Sequence, residues 1–163
     1  MTGPPHGASE AEVAELGAAL KTALPLAYVQ FLLWIGKDHH GIYKGTDIFI
    51  NNVIENTKAL PDLLSENSVR EPQTRWLCFQ SHQGYFMAWF ALPPESDDPP
   101  VFYFGEGQGM TEPRFGGPFT QYVAAELADL SAIGGTARSD KPSILSRVKT
   151  WLHRTRSAPS NSG

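Results

Sequence analysis

Between Trp76 and Glu106 three short apolar, aromatic runs are cut by strong turn signals, a pattern that restricts this stretch to a sheet that doubles back on itself. Trp76–Gln80, Tyr85–Leu92 and Val101–Phe104 are rich in the aromatic and β-branched residues that suit a pleated surface, and each is one strand long. The first gap, Ser81 to Gly84, holds a glycine that tolerates positive φ. The second, Pro93-Pro94 through Asp97-Asp98-Pro99-Pro100, cannot continue a strand, because proline gives no amide hydrogen to a ladder. Pro99-Pro100 also holds Asp98 extended, so the third strand is predicted to start at Val101. The three runs predict a β-meander.

Helical signals flank the meander. Ser9 and Glu12 have capping-box spacing, with Val13, Leu16 and Leu20 on one face, predicting a helix over 9–22. Pro25 suits the first turn of a second helix whose stripe is Leu24, Tyr28, Phe31, Leu32 and Ile35, with Gly36 as its stop. Asp47–Ile50 reads as a short strand. Asn51 or Asn52 then caps a helix carrying Val53, Ile54, Thr57 and Leu60, which Pro61 is expected to break or kink. A last arm runs over Pro118–Leu130. The order of helices, antiparallel meander and helices predicts a single α+β domain rather than a doubly wound fold. In it a mainly antiparallel sheet packs one face against the helices near Leu24–Ile35 and Phe119–Leu130, and its other face is partly open. Tyr28, Phe31, Trp76, Phe79, Tyr85, Trp89 and Phe119 are the expected core rings.

The expected organisation is a disordered start (1–8), the domain (9–133), a linker (134–141), a basic amphipathic helix (142–156) and a disordered tail (157–163). Residues after 137 hold six of the 13 Lys and Arg residues and one acid, so this segment carries +5 and the rest of the chain −9. An acidic body repels nucleic acid and attracts basic proteins. In 142–156, Ile144, Leu145, Val148, Trp151 and Leu152 alternate with Arg147, Lys149, Arg154 and Arg156. Docking on the acidic body is the favoured reading; contact with an anionic membrane or a partner is the sharper one. The lone Cys78 offers no intrachain disulfide or thiol-based zinc site, and the first residues show no leader pattern, so a cytoplasmic protein is expected.

Motifs for catalysis are weak. Gly105-Glu106-Gly107-Gln108-Gly109 follows a strand but opens no helix, and Glu106 would repel a phosphate, so a hairpin loop is expected. Asp38-His39-His40 lacks converging ligands and reads as a polar turn, while His82 is placed in a turn beside Tyr85. Cys78 sits within a strand, as inert buried thiols do, and no G-x-S-x-G elbow exists. No active site, cofactor or metal is expected. Glu95, Asp97 and Asp98, with Glu106 and Glu112, cluster between strands and are the expected partner-facing rim.

SHQGYFMAWF followed by DDPPVFYFGEG resembles the matching strands of the SUKH superfamily, which holds the yeast Smi/Knr cell-wall assembly regulators and many bacterial immunity proteins. Leu24-Pro25 through Leu33 is similar to that family's opening helix, and Gly117 through Val123 to its closing one. The chain departs from the pattern at Trp34 to His40, where many relatives run through an Asn-Gly or Gly-Gly turn. The resemblance implies a non-enzymatic binding module, foremost an immunity protein that binds a cognate polymorphic toxin, such as a nuclease. Its rivals are a regulatory scaffold and a small hydrolase or ligand-binding protein.

Overall fold

In a computed structural model of the chain, residues 5–38, 43 and 45–133 are described here, apart from the side chains of 130–133. The expected linker, basic helix and tail, and His39 and His40, lie outside the described residues.

The sequence GASEAEV starts the first helix, α1 (Glu10–Leu20), through the expected capping box. The Ser9 hydroxyl accepts from the Glu12 amide at 3.3 Å, while the Glu12 carboxylate accepts from the Ser9 amide at 2.9 Å. That carboxylate also pairs with Lys37 at 2.7 Å. These contacts, the Lys37 ammonium first, hold the Glu12 carboxyl down at about 2. The residues before α1 differ from the expected disorder, since 5–8 are packed. His6 exchanges backbone hydrogen bonds with Asp38, and the Ala8 amide donates to the Leu32 carbonyl at 2.8 Å. Only glycine fits at position 7, because a Cβ there would lie 1.7 Å from the Leu33 carbonyl oxygen. Backbone hydrogen bonds to the next helix fix what composition alone leaves loose.

The second helix, α2 (Leu26–Ile35), starts two residues after its apolar stripe begins, with Pro25 as its N-cap rather than in its first turn. A short β1 (Thr46–Asp47) and a single 3₁₀ turn, Ile50–Asn52, replace the expected strand over Asp47–Ile50. Asp47 ends the extended stretch because its carboxylate accepts from the Phe49 amide and the Asn52 side chain. Helix α3 (Val53–Glu66) then continues without a break through Pro61. Proline there deprives the Thr57 carbonyl of its helical donor, and the Trp76 indole N–H takes that place at 3.4 Å. A tertiary donor thus repairs the defect that made a break the expectation.

The meander is β2 (Arg75–His82), β3 (Phe86–Leu92) and β4 (Pro100–Gly105), joined by β5 (Arg114–Pro118) into an antiparallel sheet ordered β1-β2-β3-β4-β5. β5 has no sequence signature, since Gly-Gly-Pro is poor strand material. It forms by pairing along β4, with Phe115 opposite Phe102 and Gly117 opposite Val101. Helix α4 (Phe119–Ile133) follows at once.

Alternation sends Leu77, Phe79, Ala88, Phe90, Leu92 and Val101 to one face, where they meet α2 and α4, with α1 packed behind α2. Tyr28, Phe31, Phe79, Phe90 and Phe119 form its centre, all essentially without exposure, with ring centroids 4.9 to 6.3 Å apart. Edge-to-face rings in such a cluster add to plain area burial. The opposite face carries Cys78, Met87, Trp89 and Phe104 against Leu60, Leu63 and Leu64 of α3. The fold is the expected single α+β domain, with α3 as a second, partial helical layer. Two of the expected core rings are not interior: Trp76 is half-buried and Tyr85 is 40% exposed. Tyr85 sits in the turn before β3, and Trp76 lies where α3 stops covering the sheet.

α3 also closes a sheet edge. β1 pairs only with Ser81 and His82, leaving the outer side of β2 bare from Arg75 onward. The Cys78 amide on that side donates to the Thr57 hydroxyl at 3.0 Å. An unpaired edge that would invite another strand is thereby blocked.

Candidate partner-binding surface

The uncovered part of the second face is a groove of about 340 Å³ beside α3. Its floor follows from register: Cys78 opposite Trp89, Trp89 opposite Phe102 and Phe102 opposite Phe115 place one row across four strands. Cys78 and Trp89 lie under α3. Phe102 is half-buried, and Phe115, on the edge strand, is 65% exposed with its ring 5.9 Å from that of Phe102. Trp76, Arg70 and Pro113 complete the walls. The result is an apolar, aromatic surface next to an open strand edge, rimmed by polar loop residues, which is the composition of a protein interface core.

The five expected rim acids are not brought together. Glu95, Asp97 and Asp98 precede β4, and Glu106 and Glu112 follow it, so the length of that strand, ~20 Å, separates the two groups. Asp98 is not free. Its carboxylate accepts from the Thr120 amide at 2.8 Å and from the Thr120 hydroxyl at 2.6 Å, capping α4. The carbonyl of Asp97 accepts from the Ala27 amide at 2.8 Å, and that of Pro99 from the Phe119 amide at 2.9 Å. One loop therefore caps both central helices, leaving the side chains of Glu95 and Asp97 exposed. Glu106 and Glu112 are exposed in the loop over 106–113, where Gly107 and Gly109 have φ of 72° and 67°. That loop is the expected hairpin connection. The Glu106 amide donates to the Tyr85 carbonyl at 2.8 Å, which sets Glu106 beside the exposed Tyr85. His82 stands 5.2 Å from the Tyr85 ring, and its Nδ1 shares a 2.6 Å hydrogen bond with the Thr46 hydroxyl.

On the other side of β4 and β5, against α4, lies a cleft of about 520 Å³ that sequence reasoning missed. A bulge in β2 between Cys78 and Gln80 turns Gln80 toward α4, where its amide donates to the Glu126 carboxylate at 3.1 Å. Burial pushes the Glu126 carboxyl up from its ordinary value, against the opposing pull of that hydrogen bond. The legible signal was a glutamine in the middle of an otherwise apolar strand, which needs a polar partner once buried. Cys78 itself is fully buried, and burial pushes its thiol up to about 12, so it is inert as a nucleophile. Among the described residues no cluster of His, Cys, Asp and Glu could hold a metal ion, and no helix is long and apolar enough to cross a membrane.

No curated protein and no solved structure matches the chain. A family model does, over residues 7–130, from the glycine packed on α2 into the last turns of α4. Since the match covers every strand of the sheet and the helices on both its faces, this chain belongs to the SMI1 / KNR4 family (SUKH-1).

Proposed function

We propose that this chain is an immunity protein that binds a cognate polymorphic toxin in the cytoplasm and blocks it, acting as a binding module without chemistry of its own. Family membership supports a role of the immunity or Smi/Knr type. The observation that carries the reading is the half-open aromatic groove of Trp76, Trp89 and Phe102, continued by the Phe115 ring on the edge strand, with the exposed Glu112 next in sequence to the wall residue Pro113 and the exposed Glu106 beyond the far end of β4. Aromatic anchors bury large area at small conformational cost, and the acids steer a basic surface toward them. A nuclease, whose substrate cleft must be basic, is the toxin class this charge suits.

A regulatory scaffold of the cell-wall-regulator type is the second reading, favoured by the +5 segment beyond the matched region, which could set location. Co-expression with the toxin domain encoded next to this gene separates the two. Wild-type chain should rescue growth, and Phe102→Ser with Phe115→Ser should abolish rescue while the protein stays folded by its thermal melt. Rescue that survives both changes would move the interface off this surface, and the absence of a neighbouring toxin gene would favour the scaffold.

A further inference from the structure

The cleft between α4 and the β3–β5 part of the sheet contains an arrangement for which neither stability nor the aromatic groove gives a reason. Glu126 is half-buried and accepts a hydrogen bond from Gln80 on one oxygen, while His82 favours its charge from a distance and Asp129 opposes it. Asp129 lies one helical turn on, lines the same cleft, and is exposed. Among the described residues no Lys or Arg pairs with either carboxylate. The aromatic wall is Phe86 and Tyr103, with ring centroids 5.7 Å apart, and Tyr122 follows at 6.0 Å from Tyr103. The Tyr122 hydroxyl is buried with no hydrogen-bond partner, although the residue is only 6% exposed. Its ring packs closely on the edge strand, since a Cβ on Gly116 would stand 2.7 Å from it.

A half-buried carboxylate with no Lys or Arg paired to it among the described residues and an unsatisfied buried hydroxyl both cost stability. The carboxylate's cost falls if a planar cation enters, and the rings offer that cation a face to lie against. A guanidinium can give two parallel hydrogen bonds to a carboxylate, lie against an aromatic face and tolerate partial desolvation better than an ammonium does. We infer that the Glu126–Asp129 cleft is a receptor for an arginine side chain presented by the protein partner. This inference rests on the partner-binding reading and adds a second, charge-specific anchor on the other side of the same strand pair. The raised carboxyl of Glu126 is consistent with it, because a bound cation removes the penalty that burial imposes on the ionised form.

The test uses the full chain and a probe that needs no partner. Nα-acetyl-arginine amide is titrated against the ¹⁵N-labelled protein, with Nα-acetyl-norleucine amide as the uncharged control. Saturable shifts at Tyr103, Tyr122, Ala125 and Asp129 are expected for the arginine compound alone. Glu126→Gln with Asp129→Asn should weaken them at least tenfold while the rest of the spectrum stays unchanged. Equal responses to the two compounds, or arginine binding that survives the double substitution, would overturn the inference. So would the absence of saturation, including the case in which the chain's own basic segment 142–156 already fills the cleft. The toxin-rescue assay separates this outcome from failure of the partner-binding reading. Rescue that persists without arginine binding discards the cleft alone, and arginine binding without rescue discards the toxin assignment alone.

Discussion

The face of the sheet that meets α2 and α4 buries its rings completely, whereas the face that meets α3 leaves Trp76 and Phe102 half in water and Phe115 largely exposed. Both faces come from the same alternating strands, so the contrast is not one of composition. It arises because α2 and α4 lie across the width of the sheet, while α3 is drawn to the β2 edge by the two hydrogen bonds that Thr57 accepts. A helix that closes an edge cannot also roof the far strands. The same aromatic residue type therefore stabilises on one face and is left free to recognise a partner on the other.

The sharpest way to break this comparison is to truncate one ring on each face. Phe119→Ala removes a ring in contact with Tyr28, Phe31, Phe79 and Phe90 and should cost about 3–5 kcal/mol, enough to threaten folding. Phe115→Ala should change stability by less than about 0.5 kcal/mol by denaturant titration. If Phe115→Ala proved as costly as Phe119→Ala, the second face would be core and the interface would lie elsewhere.

A smaller effect is expected at the loop that caps the central helices. Asp98→Ala leaves the Thr120 amide and hydroxyl without their acceptor and should cost about 0.5–2 kcal/mol, measured by the urea midpoint. No change would mean that water replaces the carboxylate and that Asp98 is available to a partner after all.

The cleft near α4 gives a pH test. The folded carboxyl of Glu126 is raised, so in the window above its ordinary value the folded chain binds more protons than the unfolded one, and stability falls as pH rises. Glu126→Gln should therefore raise the melting temperature at neutral pH and leave it unchanged in acid below the ordinary carboxylate range. Glu12 works with the opposite sign. Its lowered carboxyl supports the fold above the ordinary carboxylate range, and this support is lost as pH falls toward about 2. A melting temperature equally raised at all pH values would assign the Glu126 effect to packing.

The smallest stability change is expected at the exposed rim. Glu95→Ser with Asp97→Ser should leave the melt alone and lower only the association rate at low salt, as rim charges do. If the rate is untouched, partner docking is confined to the β4–β5 end of the molecule, with Glu106 and Glu112.

The sequence made much of this legible and left specific gaps. The Ser9–Glu12 box, the α2 stripe and the three meander runs were readable because each depends on neighbours within a few residues. The packed segment over 5–8, the passage of α3 through Pro61 and the strand Arg114–Pro118 were not, because each is decided by a group far along the chain. Leu32 and Asp38 hold the first, Trp76 repairs the second, and β4 imposes the third. The rim acids were identifiable as charges, yet their separation along β4 and the diversion of Asp98 into a helix cap depend on where strand ends fall in space.

What the sequence determined by itself was the α+β class, the meander and the acidic balance of residues 1–137, since period, turn chemistry and charge are local or additive properties. Tertiary structure alone decided which aromatic rings are core and which are surface. It also set Glu126 beside Gln80, a pairing across 46 positions that a β2 bulge creates and that no local pattern could encode.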